Sequence, residues 1–176
     1  MIKASALLDS NVIIASLAEA HEHHDASIAL FGLFPDQSFA VAAHSYSEAY
    51  SILTRKAQSS PFKWTAADAI AALESVAVRC SLVGLTHGQT FEAIRDFAAD
   101  GGIGSRLYDK LIGEAAVHNG LSRIITWNAS HMRSLFPSLD VASPVEFAVA
   151  AKRKPPELRG RKSREGGQQV WVESRP

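Results

Sequence analysis

Short apolar runs alternate with longer amphipathic runs along this chain. The short runs have the length of buried strands, whereas the longer ones repeat their apolar positions every three to four residues, as helices do. Strands are predicted at 5–9, 38–42, 78–83 and 122–126, with a weaker fifth at 139–142. Helices are predicted at 11–18, 24–33, 44–57, 65–76, 87–99, 105–118 and 128–135. Strands that alternate with helices pair in parallel, so the pattern predicts an α/β fold, a three-layer α/β/α sandwich around a mainly parallel sheet.

Charge divides the chain into an acidic body and a basic end. Of the 176 residues, 47% are hydrophobic, which is enough to build the core of one domain. Residues 1–150 carry ten basic and fifteen acidic side chains, whereas residues 151–176 carry eight basic and three acidic ones. The end is too polar to fold alone. We therefore predict one domain over 1–150 and a flexible basic tail over 151–176.

The N-terminal segment is apolar without resembling a signal peptide. It is interrupted by Asp9 and Asn11, and it lacks a basic region followed by a clean apolar stretch. The chain has no uninterrupted run of eighteen apolar residues, so no membrane segment is predicted and a cytoplasmic protein is expected. The lone cysteine, Cys80, lies in an apolar run and is expected to be a buried core residue.

Three acidic residues occupy positions where apolar residues are expected. Asp9 ends the first strand, and Glu48 and Asp109 lie within predicted amphipathic helices. Carboxylates are rarely buried without partners, so a shared divalent cation would explain all three at once. Taken singly, each helical acid has an alternative. Glu48 could pair with Arg55 or Lys56, and Asp109 could pair with Arg106 or Lys110.

Two further features bear on the kind of cation. The strand at 122–126 ends in Thr126 and is followed by Asn128, which is either a helix N-cap or a neutral oxygen ligand. Carboxylate and amide oxygens match Mg²⁺ or Mn²⁺. The histidine-rich segment 21–25 lacks a second ligand pair for zinc, and it is better interpreted as a solvated helix entry with His24 or Asp25 near the cap.

Four short motifs resemble those of PIN-domain ribonucleases, and among them the VapC-like toxins of bacterial toxin-antitoxin pairs. The motifs lie in the expected order between residues 4 and 147: Leu8-Asp-Ser-Asn-Val12, Ser47-Glu-Ala-Tyr50, Leu107-Tyr-Asp-Lys-Leu111 and Ile125-Thr-Trp-Asn-Ala-Ser-His-Met132. The resemblance implies an α/β/α sandwich that binds Mg²⁺ or Mn²⁺ and hydrolyses RNA phosphodiesters. It also implies a homodimer that a small antitoxin protein silences.

The resemblance assigns roles to individual positions. Asp9, Glu48 and Asp109 would be the catalytic and metal-binding acids, with Asp109 orienting the attacking water. Asn128 would occupy the position where many relatives carry a fourth acid, a departure that puts a second metal ion in doubt. The residues expected to contact the substrate are Ser10, Asn11, Arg106 and Thr126.

Two other functional classes stay open at this point. A phosphoryl-transfer enzyme of the haloacid dehalogenase type also begins with an aspartate after the first strand, but it needs a second acid where this chain has Asn11. A degenerate PIN domain that binds RNA or protein without cleavage would agree with Asn128 and with the acidic body, which is a poor electrostatic partner for RNA.

Overall fold

The computed structural model describes residues 4–56 and 61–153. Within these ranges the chain forms five strands: β1 (Ala6–Leu8), β2 (Phe39–Ala42), β3 (Ser81–Val83), β4 (Arg123–Ile125) and β5 (Asp140–Ala142). Eight helices alternate with them: α1 (Ser10–Leu17), α2 (His24–Leu33), α3 (Ala43–Leu53), α4 (Ala66–Ala77), α5 (His87–Ala99), α6 (Arg106–His118), α7 (Ala129–Leu135) and α8 (Pro144–Arg153).

The five strands form one parallel sheet in the order β3-β2-β1-β4-β5. The strand β1 lies in the centre, where Leu8 pairs with Val41 on one side and with Ile125 on the other. Both neighbouring strands are buried, so the residue that follows β1 lies at the middle of the carboxyl edge of the sheet. Open parallel sheets hold their ligands at this edge.

Helices cover both faces of the sheet. In β1 the side chains of Ala6 and Leu8 join a core built with α1, α2, α3, α4 and α8, whereas Leu7 joins a second core built with α6 and α7. The alternation follows from the two-residue period of a strand. The predicted three-layer α/β/α sandwich with a parallel sheet is thereby confirmed. Cys80 is buried, as expected.

The structure departs from the predicted elements at three places. The predicted helix 44–57 ends at Leu53, and Thr54 is its C-cap. The predicted strand 78–83 is strand only from Ser81, because Val78 is the C-cap of α4 and its side chain is 73% exposed. Helix α8 was not predicted at all. It crosses the predicted boundary at 150 and continues to Arg153, and the remainder of the predicted basic tail lies outside the described residues. Among the helices that the structure describes, none is both long and apolar enough to cross a membrane.

Candidate active site at the carboxyl edge of the sheet

Asp9 lies at the centre of the site because it directly follows β1. Its backbone N–H donates to the carbonyl of Ile125, which extends the pairing of β1 with β4 by one residue. Its side chain is only 1% exposed, and it accepts hydrogen bonds from Thr126 Oγ1 at 2.6 Å, Asn11 Nδ2 at 2.8 Å and Ser10 Oγ at 3.2 Å. Burial raises the pKa of Asp9, and these hydrogen bonds oppose the rise. The carboxylate is therefore held in one orientation but lies in a poorly solvated place.

Asn11 and Thr126 bind each other as well as Asp9. Asn11 Nδ2 donates to Thr126 Oγ1 at 3.0 Å, and the Asn11 Oδ1 accepts from the backbone N–H of Trp127 at 3.1 Å. Thr126 is fully buried, and its hydroxyl also accepts the backbone N–H of Asn128 at 2.9 Å. The two residues tie the start of α1 to the end of β4, directly below the carboxylate.

Glu48 and Asp109 bring two more carboxylates to this edge from α3 and α6. Both side chains are half-buried. Burial raises the pKa of Glu48, a hydrogen bond from the Ser10 side chain opposes that rise, and the charge of Asp9 adds to it. Burial also raises the pKa of Asp109 to about 6, and the charges of Asp9 and Glu48 contribute to the rise. The three predicted acids therefore lie close enough to destabilise one another's ionised forms.

The ion pairs considered as alternatives for the helical acids are not formed. Among the described residues, Glu48 has no basic nitrogen within 4.0 Å, and Lys110 pairs with Glu114 at 2.8 Å rather than with Asp109. The partner of Asp109 is His131, whose Nε2 lies 3.1 Å from Asp109 Oδ2. The angles at this contact are not those of a hydrogen bond, since the buried Nε2 has no hydrogen-bond partner, so we regard it as an electrostatic contact.

The donor chemistry of this edge suits a hard cation. In the ranges 4–56 and 61–153, no three His, Cys, Asp or Glu side chains close around one point in ligating geometry, and this holds for the histidine-rich segment too. However, Asp9, Glu48 and Asp109 offer carboxylate oxygens; burial raises the pKa of all three groups, and the charges of neighbouring acids raise those of Glu48 and Asp109 further. A divalent cation relieves that repulsion, and oxygen is the ligand that Mg²⁺ and Mn²⁺ prefer.

A family model supports the interpretation of these motifs. The model of the PIN domain matches residues 6–133, a span that contains all three acids as well as Thr126 and Asn128. The chain belongs to the PIN domain family. A phosphoryl-transfer enzyme of the haloacid dehalogenase type is therefore not supported.

Solved structures agree on the fold. VapC20 of Mycobacterium tuberculosis, described as a sarcin-ricin loop cleaving toxin, superposes with a TM-score of 0.59 at 12% identity over 74% of this chain and 95% of that one. PAE2754 of Pyrobaculum aerophilum gives a TM-score of 0.56 at 19% identity, over 85% and 98% of the two chains. DNA-bound VapBC of Salmonella typhimurium gives 0.56 at 18% identity, over 80% and 98%. No curated protein sequence matches the chain.

The remaining predicted residues of this PIN domain occupy the rim of the site. Asn128 is the N-cap residue of α7, as one of the two predictions had it, but its exposed side chain makes no capping hydrogen bond. Its role as a metal ligand stays a prediction. Arg106 is exposed and lines a cleft of about 620 Å³ with Lys110 and His131, next to Asp109. The cleft would accommodate a phosphate-bearing ligand, and substrate contact by Arg106 also stays a prediction.

Sequence reasoning missed His131. Its position three residues after Asn128 places it one helical turn into α7. That turn faces α6, so the spacing between Asn128 and His131 could have indicated a contact of His131 with α6.

Proposed function

We propose that this PIN domain is a metal-dependent endoribonuclease that hydrolyses RNA phosphodiesters, and that it is the toxin of a type II toxin-antitoxin pair. The observation that carries the proposal is the buried carboxylate of Asp9, held by three side-chain hydrogen bonds at the carboxyl edge of the sheet. Glu48 and Asp109 reach the same edge from separate helices, and their raised pKa values record the crowding of negative charge there.

The residues present can be given roles. Asp9, Glu48 and Asp109 would hold Mg²⁺ or Mn²⁺, and Asn128 would add a neutral oxygen. When bound, the ion neutralises charge on the phosphate and lowers the pKa of a water molecule. By family resemblance, Asp109 would also orient the attacking water, and the products carry a 5′-phosphate and a 3′-hydroxyl.

Substrate and partners follow from the same resemblance. Ser10, Asn11 and Thr126 fix Asp9, and Arg106 offers positive charge for a phosphate that flanks the cleavage site. Structures of similar fold include toxins in VapBC complexes, which supports a small antitoxin protein as the partner of this chain. A homodimer is part of the proposal.

The test is cleavage of a mixed RNA pool with Mn²⁺ or Mg²⁺, with EDTA as the metal-free arm. We expect cleavage only with metal, and mapping of the new 5′ ends would reveal the target. Asp9→Asn should abolish cleavage, whereas Asp96→Asn, which removes the same charge from the exposed face of α5, should retain it. If the RNA pool stays intact with Mn²⁺ and also with Mg²⁺, the ribonuclease proposal is refuted. Co-purification with the product of the adjacent upstream reading frame tests the antitoxin.

A second candidate is a PIN domain that binds RNA or protein without cleavage. It is favoured by Asn128 at the position of a fourth acid and by the acidic body, in which fifteen acidic residues oppose ten basic ones over residues 1–150. Retained RNA binding together with an intact RNA pool in the presence of metal would identify this function.

A further inference from the structure

The histidine-rich segment before α2 is built into a row of aromatic rings. The His23 ring stacks on Trp127, with ring centroids 3.9 Å apart and planes 16° from parallel. His21 lies 5.6 Å beyond His23, and Phe62 stacks on His21 at 6.1 Å with an angle of 8°. We call Trp127, His23, His21 and Phe62 the aromatic row. The expected solvated helix entry is therefore a packed structure; His23 is the N-cap of α2, and His24 and Asp25 follow it in the first turn, near the cap as predicted.

The aromatic row begins at the acidic site. Trp127 directly follows Thr126, whose hydroxyl lies 2.6 Å from Asp9 Oδ2. The backbone N–H of Trp127 donates to Asn11, which also donates to Asp9. At its other end, the indole Nε1 donates to the buried Ser27 Oγ at 2.9 Å. The orientation of the Trp127 ring is thus fixed relative to the carboxylates.

Hydrogen bonds also fix the histidines of this segment. His24 Nδ1 contacts the carbonyl of Ala15 at 3.0 Å, and a carbonyl only accepts, so His24 Nδ1 carries a proton. His21 Nδ1 accepts the backbone N–H of His23 at 3.1 Å, so the proton of neutral His21 is on Nε2. The His21 ring is therefore held by a hydrogen bond, and the His23 ring by its stacking on Trp127, before any ligand binds, which lowers the entropy cost of binding.

The members of the aromatic row lie at the edge of the core rather than inside it, since Trp127 and Phe62 pack against the core but stay partly exposed. Phe39, a true core ring, is 2% exposed, whereas the side chain of His23 is 36% exposed although one of its faces lies against Trp127. The other three rings are partly exposed too. An ordered row of partly open rings beside a phosphodiester site is the arrangement on which unstacked bases of single-stranded RNA bind.

We propose that the aromatic row is a nucleobase-binding subsite, which stacks a base of single-stranded RNA beside the acidic site around Asp9. This inference rests on the proposed function in taking RNA as the ligand. It also answers an electrostatic difficulty, because the acidic body offers little attraction for phosphates. Stacking contributes affinity that does not depend on net charge.

The experiment measures binding apart from cleavage. The chain has three tryptophans, and the double variant Trp64→Phe/Trp171→Phe leaves Trp127 as the sole tryptophan, whose fluorescence is excited selectively over that of the three tyrosines. A short single-stranded RNA of mixed sequence is titrated in EDTA, and an abasic RNA of equal length serves as the phosphate-only probe. We expect the base-bearing RNA to quench Trp127 and to bind at least about tenfold more tightly than the abasic RNA, as expected for loss of base stacking.

Variants of His23 locate the contact. His23→Ala should weaken binding of the base-bearing RNA by about tenfold, and His23→Phe should restore it, because only the ring is needed. His87→Ala, an exposed histidine on α5, is the matched control and should bind like the parent. With metal present, His23→Ala should raise KM and leave kcat unchanged.

Failure of this inference is distinguishable from failure of the proposed function. If base-bearing and abasic RNA quench Trp127 equally, the subsite is refuted whatever the behaviour of the variants, and cleavage of the RNA pool would leave the nuclease proposal intact. Equal affinity of the parent and of His23→Ala for the base-bearing RNA would also refute the subsite. Base-dependent quenching with no metal-dependent cleavage would instead support the aromatic row and remove the ribonuclease.

Discussion

Replacing Asp109 by asparagine should stabilise the metal-free protein. Burial and the charges of Asp9 and Glu48 raise the pKa of Asp109 from 3.8 to about 6. One pKa unit corresponds to 1.36 kcal/mol, so ionised Asp109 costs the folded protein about 3 kcal/mol. That shift already includes the favourable charge of His131, and because Asp109 is only half-buried, solvent screening reduces the cost to about 2 kcal/mol. At neutral pH we therefore expect Asp109→Asn to raise the free energy of unfolding by about 2 kcal/mol, or Tm by roughly 4–8 °C.

The direction of the pH dependence is fixed by the raised pKa. Below about pH 4 the residue is protonated in the folded and the unfolded chain, so the variant and the parent should be equally stable. Between about pH 4 and 6 the unfolded chain loses the proton first, so the parent loses stability as the pH rises. Above about pH 6 both states are ionised and the difference should stay constant.

Urea unfolding in EDTA, followed by circular dichroism from acid to neutral pH, measures this difference. Asp96→Asn is the control, since it removes one negative charge from an exposed position and should show no comparable gain. The same Asp109→Asn protein should fail to cleave RNA with metal. A variant that is no more stable than the parent at neutral pH, or a gain that persists below about pH 4, would refute the reasoning.

Substitutions at three further positions probe the site and its surroundings, with Gly32→Ala as a control. Asn11→Ala should cost about 2–3 kcal/mol in urea unfolding, because it removes three hydrogen bonds and leaves buried partners unpaired; a loss under about 0.5 kcal/mol would contradict this. Gly113→Ala should destabilise by about 1–3 kcal/mol, since a Cβ there overlaps the Phe136 ring, whereas Gly32→Ala has open space and should be neutral or slightly stabilising. Asn128→Asp should lower the Mg²⁺ concentration for half-maximal cleavage by adding charge at the cation, and Asn128→Ala should leave stability unchanged because no capping bond is lost.

The layered fold could be predicted because periodicity distinguishes strands from helices and because alternating elements force parallel pairing. The order of the strands could not, since pairing depends on where each crossover returns. Helix α8 was missed although the sequence carried its signal. Ser143 and Glu146 form reciprocal hydrogen bonds around Pro144, which is a capping box with proline at the first helical position. Basic residues follow this signal directly, and they favoured the prediction of a flexible tail over that of a helix.

Packing details of the site were less accessible than its acids. Asp9, Glu48 and Asp109 stand out because carboxylates rarely occupy apolar patterns. His131 does not stand out, since its contact with Asp109 depends on how α7 lies against α6. Gly113, inside an amphipathic helix, indicates that another group packs closely there, and in the structure that group is the Phe136 ring. A sequence indicates that space is required at a glycine without indicating what fills it.

The hydrogen bonds of Asn11 explain why an amide side chain is needed two positions after Asp9. Its Nδ2 donates to Asp9 and its Oδ1 accepts from the backbone N–H of Trp127, so one side chain must offer both a donor and an acceptor. A carboxylate there could only accept, and it would place a fourth negative charge against Asp9, whose pKa is already raised by burial. The same amide thereby orients the carboxylate and anchors the first ring of the aromatic row. Substitution of Asn11 should consequently disturb metal binding and base stacking together, whereas substitution of His23 should disturb stacking alone.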